Sequence, residues 1–302
     1  MSSEQESALL HLLKTSKVRE LLNKQHLVIF QSTQTVKDVF QTLSENAILS
    51  APVFDTRRHS FIGMIDMQDF LAFTLSMYIK GEPFVFTAKQ LTDFSGTNPF
   101  IPIEDDTSLL EALKDFNTQK IHRMPVIEKN TAANVVGVLS QSTIIDWLYS
   151  HLSEFGNKLD HTVKDLNLGG LNNLSQVITA NSKDSLLSAF FTLEKAKITG
   201  LPVVDSQGKL VGNISLKDIK YVINSSIQEL EIPIHDFMNK VQAHELVVCT
   251  PETNFIEVIK MMHLQKVHRV HVVNQEHHPI DIITMSNVLD TVLALATGQR
   301  KR

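Results

Sequence analysis

The chain has a single cysteine, Cys249, so no disulfide can form within it. That absence fits a reducing compartment, and cytoplasm or nucleus is the expected address. It also lacks any run of roughly twenty apolar residues, so no membrane span is expected. The first residues, Met1-Ser2-Ser3-Glu4-Gln5-Glu6-Ser7, have neither the positive start nor the apolar core of a signal peptide and read as a frayed tail. A basic excess is missing too: 28 Lys and Arg stand against 33 Asp and Glu, net charge −5, which argues against a general nucleic-acid binder. The basic end Gly298-Gln299-Arg300-Lys301-Arg302 reads as a solvated tail. No glycine-rich phosphate loop with lysine, no Gly-x-Ser-x-Gly elbow and no zinc-protease motif occurs, so no enzyme activity is expected.

What is present is repetition. The 302 residues, 43% hydrophobic, suffice for two substantial cores. Lys120-Ile121-His122-Arg123-Met124-Pro125-Val126-Ile127 and Lys266-Val267-His268-Arg269-Val270-His271-Val272-Val273 each join an amphipathic run to a β-branched one. Leu49-Ser50-Ala51-Pro52-Val53-Phe54-Asp55 and Thr199-Gly200-Leu201-Pro202-Val203-Val204-Asp205 punctuate the chain in the same way. The period is about seventy to eighty residues, and each of the copies reads as strand, helix, strand, strand, helix.

The segments are 1–16, a tail and the start of a helix; 17–80, the first copy; 81–155, the second with its connector; 156–228, the third with its connector; and 229–302, the fourth with the basic tail. Apolar spacing predicts a helix over 9–22, and the opening strands are expected at 27–30, 100–103, 175–179 and 247–249. Helices are expected from Thr35, Ser108, about Asp184 and Asn254, with capping boxes at Thr35/Asp38 and Ser108/Glu111. The stretch 156–173, rich in Gly, Asn and charge, is the expected division between copies one and two and copies three and four.

The unit resembles a CBS (cystathionine β-synthase) domain, and the chain from about Lys17 to its last helix is similar to the gamma regulatory subunits of AMP-activated protein kinase. The resemblance rests on Ile121-His122-Arg123, Val267-His268-Arg269 and the first copy's Ala51-Pro52-Val53-Phe54-Asp55 through Phe61-Ile62-Gly63-Met64. It implies an α+β fold of tandem CBS repeats, paired into two Bateman modules that form a pseudo-symmetric disc. It further implies a non-catalytic regulatory subunit that senses AMP, ADP or ATP, needs no metal, and joins a catalytic alpha and a bridging beta chain. A gamma-like interaction scaffold without useful nucleotide binding is the alternative.

In that family the pattern Gly, two apolar residues, Ser or Thr, two residues, Asp opens the last helix of a copy and binds nucleotide. A carboxylate can accept both hydrogen bonds of a ribose diol, while hydroxyls and helix N-terminal amides hold phosphate. Gly212-Asn213-Ile214-Ser215-Leu216-Lys217-Asp218 keeps the pattern whole. Asp281-Ile282-Ile283-Thr284-Met285-Ser286-Asn287 replaces the carboxylate by an amide, and Val138-Leu139-Ser140-Gln141-Ser142-Thr143 loses it. Gly63-Met64-Ile65-Asp66-Met67-Gln68-Asp69 has Asp66 in the place of the hydroxyl. The nucleotide-binding set that the resemblance implies is Asp218, Ser215, Thr199, His122, Arg123, His268, Arg269, Thr284 and Asn287, with Asp69 last. Leu49, Ser142 and Thr143 stand where the family carries cations, so Asp69 reads more readily as a helix cap.

Plainer roles compete with each assignment. His-Arg at a helix end also complements the helix dipole, and Asp218 alone could be an N-cap. His263, His271, His277 and His278 have no compact ligand spacing and give no metal site. Met261-Met262 reads as core packing, and Cys249 as an inert buried thiol.

Overall fold

The computed structural model describes residues 7–22, 27–81, 86–97, 99–131, 134–170, 177–241 and 246–298. Residues 1–6 of the expected frayed start, most of the basic tail and part of the expected strand 175–179 lie outside them, while Ser7, expected in the frayed start, caps the first helix by accepting from the Leu10 amide. Among the described residues the chain folds as α+β with four three-stranded sheets.

The lead-in consists of α1 (Ala8–Thr15) and α2 (Val18–Leu21). The first copy follows with β1 (Phe30–Gln31), α3 (Val36–Glu45), β2 (Ser50–Asp55), β3 (Ser60–Asp66) and α4 (Met67–Lys80). A connector helix α5 (Ala88–Leu91) precedes the second copy, β4 (Ile103–Glu104), α6 (Leu109–Gln119), β5 (Arg123–Ile127), β6 (Val135–Ser140) and α7 (Gln141–Ser150). The third has β7 (Ala180–Asn181), α8 (Leu186–Ala196), β8 (Gly200–Val204), β9 (Leu210–Ser215) and α9 (Ile219–Asn224). After α10 (Ile234–Lys240) come β10 (Val248–Cys249), α11 (Phe255–Leu264), β11 (Arg269–Val273), β12 (Pro279–Thr284) and α12 (Met285–Thr297). In every sheet the short first strand runs parallel to the middle one, across the first helix, and the middle pairs antiparallel with the last.

Local chemistry sets these boundaries. The Thr35 hydroxyl accepts from the Asp38 amide at 3.1 Å while Asp38 accepts from the Thr35 amide at 3.3 Å, so the shorter carboxylate does close the expected box. Ser108, Ser185 and Asn254 accept from the first turns of α6, α8 and α11. The first helix of each copy then gives way to a residue in the left-handed region: Ala47, Lys120, Lys197 and Lys266, with φ of 52°, 55°, 52° and 52°. None is glycine, and each reverses the chain three residues before its middle strand. The strain recurs in every copy because it aims the following residues at the last helix.

Three expectations are corrected. The helix over 9–22 is broken at Ser16 and Lys17, because Lys17 bridges Ser108 in extended conformation. The third copy's first strand is Ala180–Asn181 and does not include 177–179, since Ala180 and Asn181 are the residues that meet Val203 and Val204. The last helix of that copy begins as a tight 3-10 turn, Leu216–Asp218, before α9.

Cohesion also departs from the linear halves divided at 156–173. One compact unit comprises 1–25, 101–177 and 247–302, the other 26–100 and 178–246. The first has one core, from Leu113 and Leu148 to Phe255 and Val292, with α6 against α12 and α7 against α11. The second joins Phe40 and Phe70 to Phe190 and Phe237, with α4 against α8 and α9. Lead-ins are exchanged: the one before copy one packs on copy two, where Leu22 fills the space above Gly137, and the one before copy two packs on copy one, where Thr92 covers Gly63. Likewise Met238, before copy four, covers Gly212 of copy three. A glycine in the last strand is the seat for each of these intruding side chains.

Within β11, His271 is only 2% exposed. Burial, and then the charge of Arg269, push its pKa down to about 4. The native state therefore holds it neutral, whereas the unfolded chain protonates it below its ordinary value of 6.5. Its contribution to stability is complete above that value and is lost as pH falls toward 4, by up to about 3 kcal/mol. Acid melting curves of the wild type should fall more steeply across that window than those of His271→Leu; parallel curves would contradict it.

Candidate functional site

The recurrent left-handed residue fixes the register of the copies. Two residues beyond it stand Leu49, His122, Thr199 and His268, followed by Ser50, Arg123, Gly200 and Arg269. Each of the latter lies directly across the sheet from the residue that caps the last helix: Ser50 from Asp66, Arg123 from Ser140, Gly200 from Ser215 and Arg269 from Thr284. The carbonyls of His122, Thr199 and His268 accept from the amides of Gln141, Leu216 and Met285, each at 3.2 Å. The fold thus brings these side chains to the N-terminus of their own copy's last helix, where amides and dipole favour an anion. The larger compact unit holds His122, Arg123, His268, Arg269, Thr284 and Asn287; Asp69, Thr199, Ser215 and Asp218 belong to the other.

In copy three Asp218 Oδ2 accepts from the Ser215 amide at 2.6 Å and the Ser215 hydroxyl at 3.0 Å. The two residues are half-buried. Copy four has the same box built on an amide: Asn287 Oδ1 accepts from the Thr284 amide at 2.8 Å and hydroxyl at 2.7 Å. Once one oxygen serves the cap, a carboxylate still carries a second acceptor, whereas Asn287 carries an NH2 donor. A ribose diol, which donates, matches the first arrangement and not the second.

His122 is exposed and lines a cavity of about 200 Å³ with Phe116, Lys120, Gln141, Ser286, Leu289 and Asp290. Its polar wall is ordered from within the same unit: the Gln141 amide donates to Ser286 Oγ at 2.9 Å, and Asn117 donates to Asp290 at 2.6 Å. No motif singles out Gln141 or Ser286, although each sits in the first turn of a last helix, beside the pattern residues Ser140 and Asn287. Arg269 is buried and Arg123 half-buried, so the two His-Arg pairs are not equivalent.

Copy one is built differently. Asp66 takes the hydroxyl's place as N-cap, accepting from the Gln68 amide at 2.6 Å and the Asp69 amide at 3.3 Å. Asp69 is completely buried and accepts from the Asp66 amide at 2.9 Å on one oxygen. Its other oxygen accepts from the Ser95 amide at 2.9 Å and the Ser95 hydroxyl at 2.7 Å. Burial first, and the Asp66 charge second, push its pKa up to about 7. Asp69 is thus the partner of the Asp66 cap in the first turn of α4, and Ser95 is a second partner that no motif announces.

Cys249 is buried, and burial followed by the charge of Asp281 pushes its thiol up to about 12, where it has no thiolate character at neutral pH. His263 is engaged by Asp146 at 2.6 Å and stacks on Tyr149. Among the described residues no helix is long and apolar enough to cross a membrane.

The CBS domain family matches residues 18–76, 91–150, 171–225 and 234–294. Among curated proteins, the gamma subunit of 5'-AMP-activated protein kinase of Dictyostelium discoideum is 24% identical over 288 residues, 88% of this chain and 49% of the relative. The human gamma-3 subunit of that kinase is 24% identical over 285 residues, 90% of this chain and 58% of the relative. The chain thus spans about half to three-fifths of the length of these relatives. A solved Methanocaldococcus jannaschii protein, proposed as an archaeal homolog of g-AMPK, superposes with a TM-score of 0.75 at 16% identity, over 91% of this chain and 99% of its own. A conserved protein of Pyrococcus horikoshii gives a TM-score of 0.58 at 18% identity, over 92% and 100%. Both likenesses are of fold.

Proposed function

Since the chain belongs to the CBS domain family, with four copies of the domain, we propose that it is a non-catalytic, adenine-nucleotide-binding regulatory subunit of gamma type. Its partners are the catalytic alpha and bridging beta chains of a Ser/Thr protein kinase, and its ligands are AMP, ADP or ATP. The observation that carries this reading is the Ser215/Asp218 box of copy three. It sets a carboxylate and a hydroxyl at a helix start in the order that suits a ribose and its phosphate. His122, Arg123, His268 and Arg269 supply cations at the corresponding helix starts of copies two and four. Similarity to gamma subunits across about nine-tenths of the chain supports the choice of partners.

Co-expression tests it. The chain should copurify in stable ratio with an alpha and a beta chain of its own cell, and recovery as a monomer in their presence would contradict the kinase reading. The scaffold alternative draws on copies one and four, where the carboxylate is respectively enclosed and replaced. It predicts the same complex without any response to nucleotide.

A further inference from the structure

The connector that leads from copy one toward copy two does more than cross a gap. After α5 it turns back over β3. Thr92 stands on the face of Gly63, where a Cβ would come within 2.3 Å of its methyl, and the Asp93 amide donates to the Met64 carbonyl at 3.1 Å. Gly63 itself has φ of +156°. These contacts bring Ser95 onto the carboxylate that opens α4. Its amide and hydroxyl both donate to Asp69 Oδ1, at 2.9 and 2.7 Å, and Thr97 Oγ1 lies 2.7 Å from Ser95 Oγ, placed to donate to it in turn. From the other side the Lys197 ammonium donates to the Ser95 carbonyl at 3.2 Å. Ser95 and Asp69 are both buried.

A ribose diol presents two donors on neighbouring atoms, and Ser95 presents two donors three bonds apart. We propose that segment 92–97 is a tethered occupant of the copy-one site, supplying to Asp69 the hydrogen bonds that a ribose would supply, so that this copy is closed to nucleotide. The claim rests on the reading of Asp218, the corresponding residue of copy three, as a ribose acceptor. It goes beyond that reading because it assigns the occupant. A buried carboxylate needs hydrogen-bond donors whether or not ligand is present, and a site filled by its own chain keeps copy one folded at any nucleotide concentration. The family pattern at Gly63 and Asp69 is thereby retained for the sake of structure: glycine as the seat of Thr92, the carboxylate as the acceptor for Ser95.

Amide hydrogen exchange on the full chain tests the occupant directly. Without ligand, the Ser95 amide should exchange about 100-fold or more slowly than an open loop, and saturating AMP should leave it unchanged. Rapid exchange in the free chain would overturn the proposal even if AMP binds elsewhere. Acceleration of Ser95 on adding AMP would overturn it as well, since it would mean that nucleotide displaces the segment. A chain that binds no AMP but protects Ser95 keeps the occupant while the nucleotide reading fails, so the two failures are distinct. As a second arm, Asp69→Asn, whose side chain still accepts from Ser95, should leave AMP affinity within about twofold of wild type; a loss of tenfold or more would place a working site in copy one.

Discussion

Asp218→Ala is expected to weaken AMP binding by one to two decades, while Asp69→Ala leaves it at the wild-type value. The contrast follows from how each carboxylate is used. Asp218 is half-buried at the start of a helix, where it caps Ser215, so part of it faces solvent within reach of a ligand. Removing a charged hydrogen-bond partner costs about 1.5–3 kcal/mol, which is that range in affinity. Asp69 has no exposed surface and is already engaged by Asp66 and Ser95. Its loss should appear in stability, because the Ser95 and Asp66 amides are left in a buried site without their acceptor. Calorimetric titration of both variants, after circular dichroism shows them folded, decides it. Equal losses of affinity, or the larger loss at Asp69, would contradict the assignment.

Gly63→Val should destabilise the chain by about 2–4 kcal/mol, against about 1 kcal/mol for Gly81→Ala. Both glycines have positive φ, +156° and +66°. At Gly81, the C-cap of α4, a Cβ would meet nothing within 4 Å, so the cost there is backbone strain alone. At Gly63 a φ that essentially only glycine adopts is joined by a clash with the Thr92 methyl at 2.3 Å. Thr92 can rotate away only by giving up its hydroxyl bond to the Ala88 carbonyl, at 2.8 Å. A shared loss of about 1 kcal/mol in denaturant melts of the two variants would show that Thr92 is not seated as described. Adding Thr92→Ser, which removes the methyl, should recover part of the Gly63→Val loss.

Much of this is legible in the sequence. The repeat, its strand and helix order, and the register of His122 with His268 follow from punctuation that recurs at one period. Hydrophobic periodicity and capping residues act within a few positions of themselves. The capping box of Asp66 and Asp69 is legible for the same reason, since the two lie three residues apart. What escaped depends on distant chain. Nothing near Asp69 points to Ser95, 26 residues on, and nothing near Gln141 points to Ser286. The grouping of copy one with three and of two with four was hidden too, because α4 against α8 and α6 against α12 are matches between apolar faces that many helices share. The break at Lys17 belongs with these: its bridge partner is Ser108.

Asp69 also gives the smaller unit a pH response opposite in sense to that of His271. A carboxyl whose pKa rises from 3.8 to about 7 on folding is held protonated by the native state. Its contribution to stability is complete below 3.8 and is lost as pH rises through about 7.

Thermal melting of the full chain with AMP, ADP, ATP, GTP and S-adenosylmethionine bears most directly on nucleotide sensing. A ligand that binds only the native state raises stability by RT ln(1 + [L]/Kd), about 2.7 kcal/mol at a hundredfold excess over Kd. The melting temperature should climb with the logarithm of adenine nucleotide concentration, and the climb should be lost in Asp218→Ala. A melting temperature that none of the adenine nucleotides moves at millimolar concentration would contradict nucleotide sensing and leave the scaffold in its place.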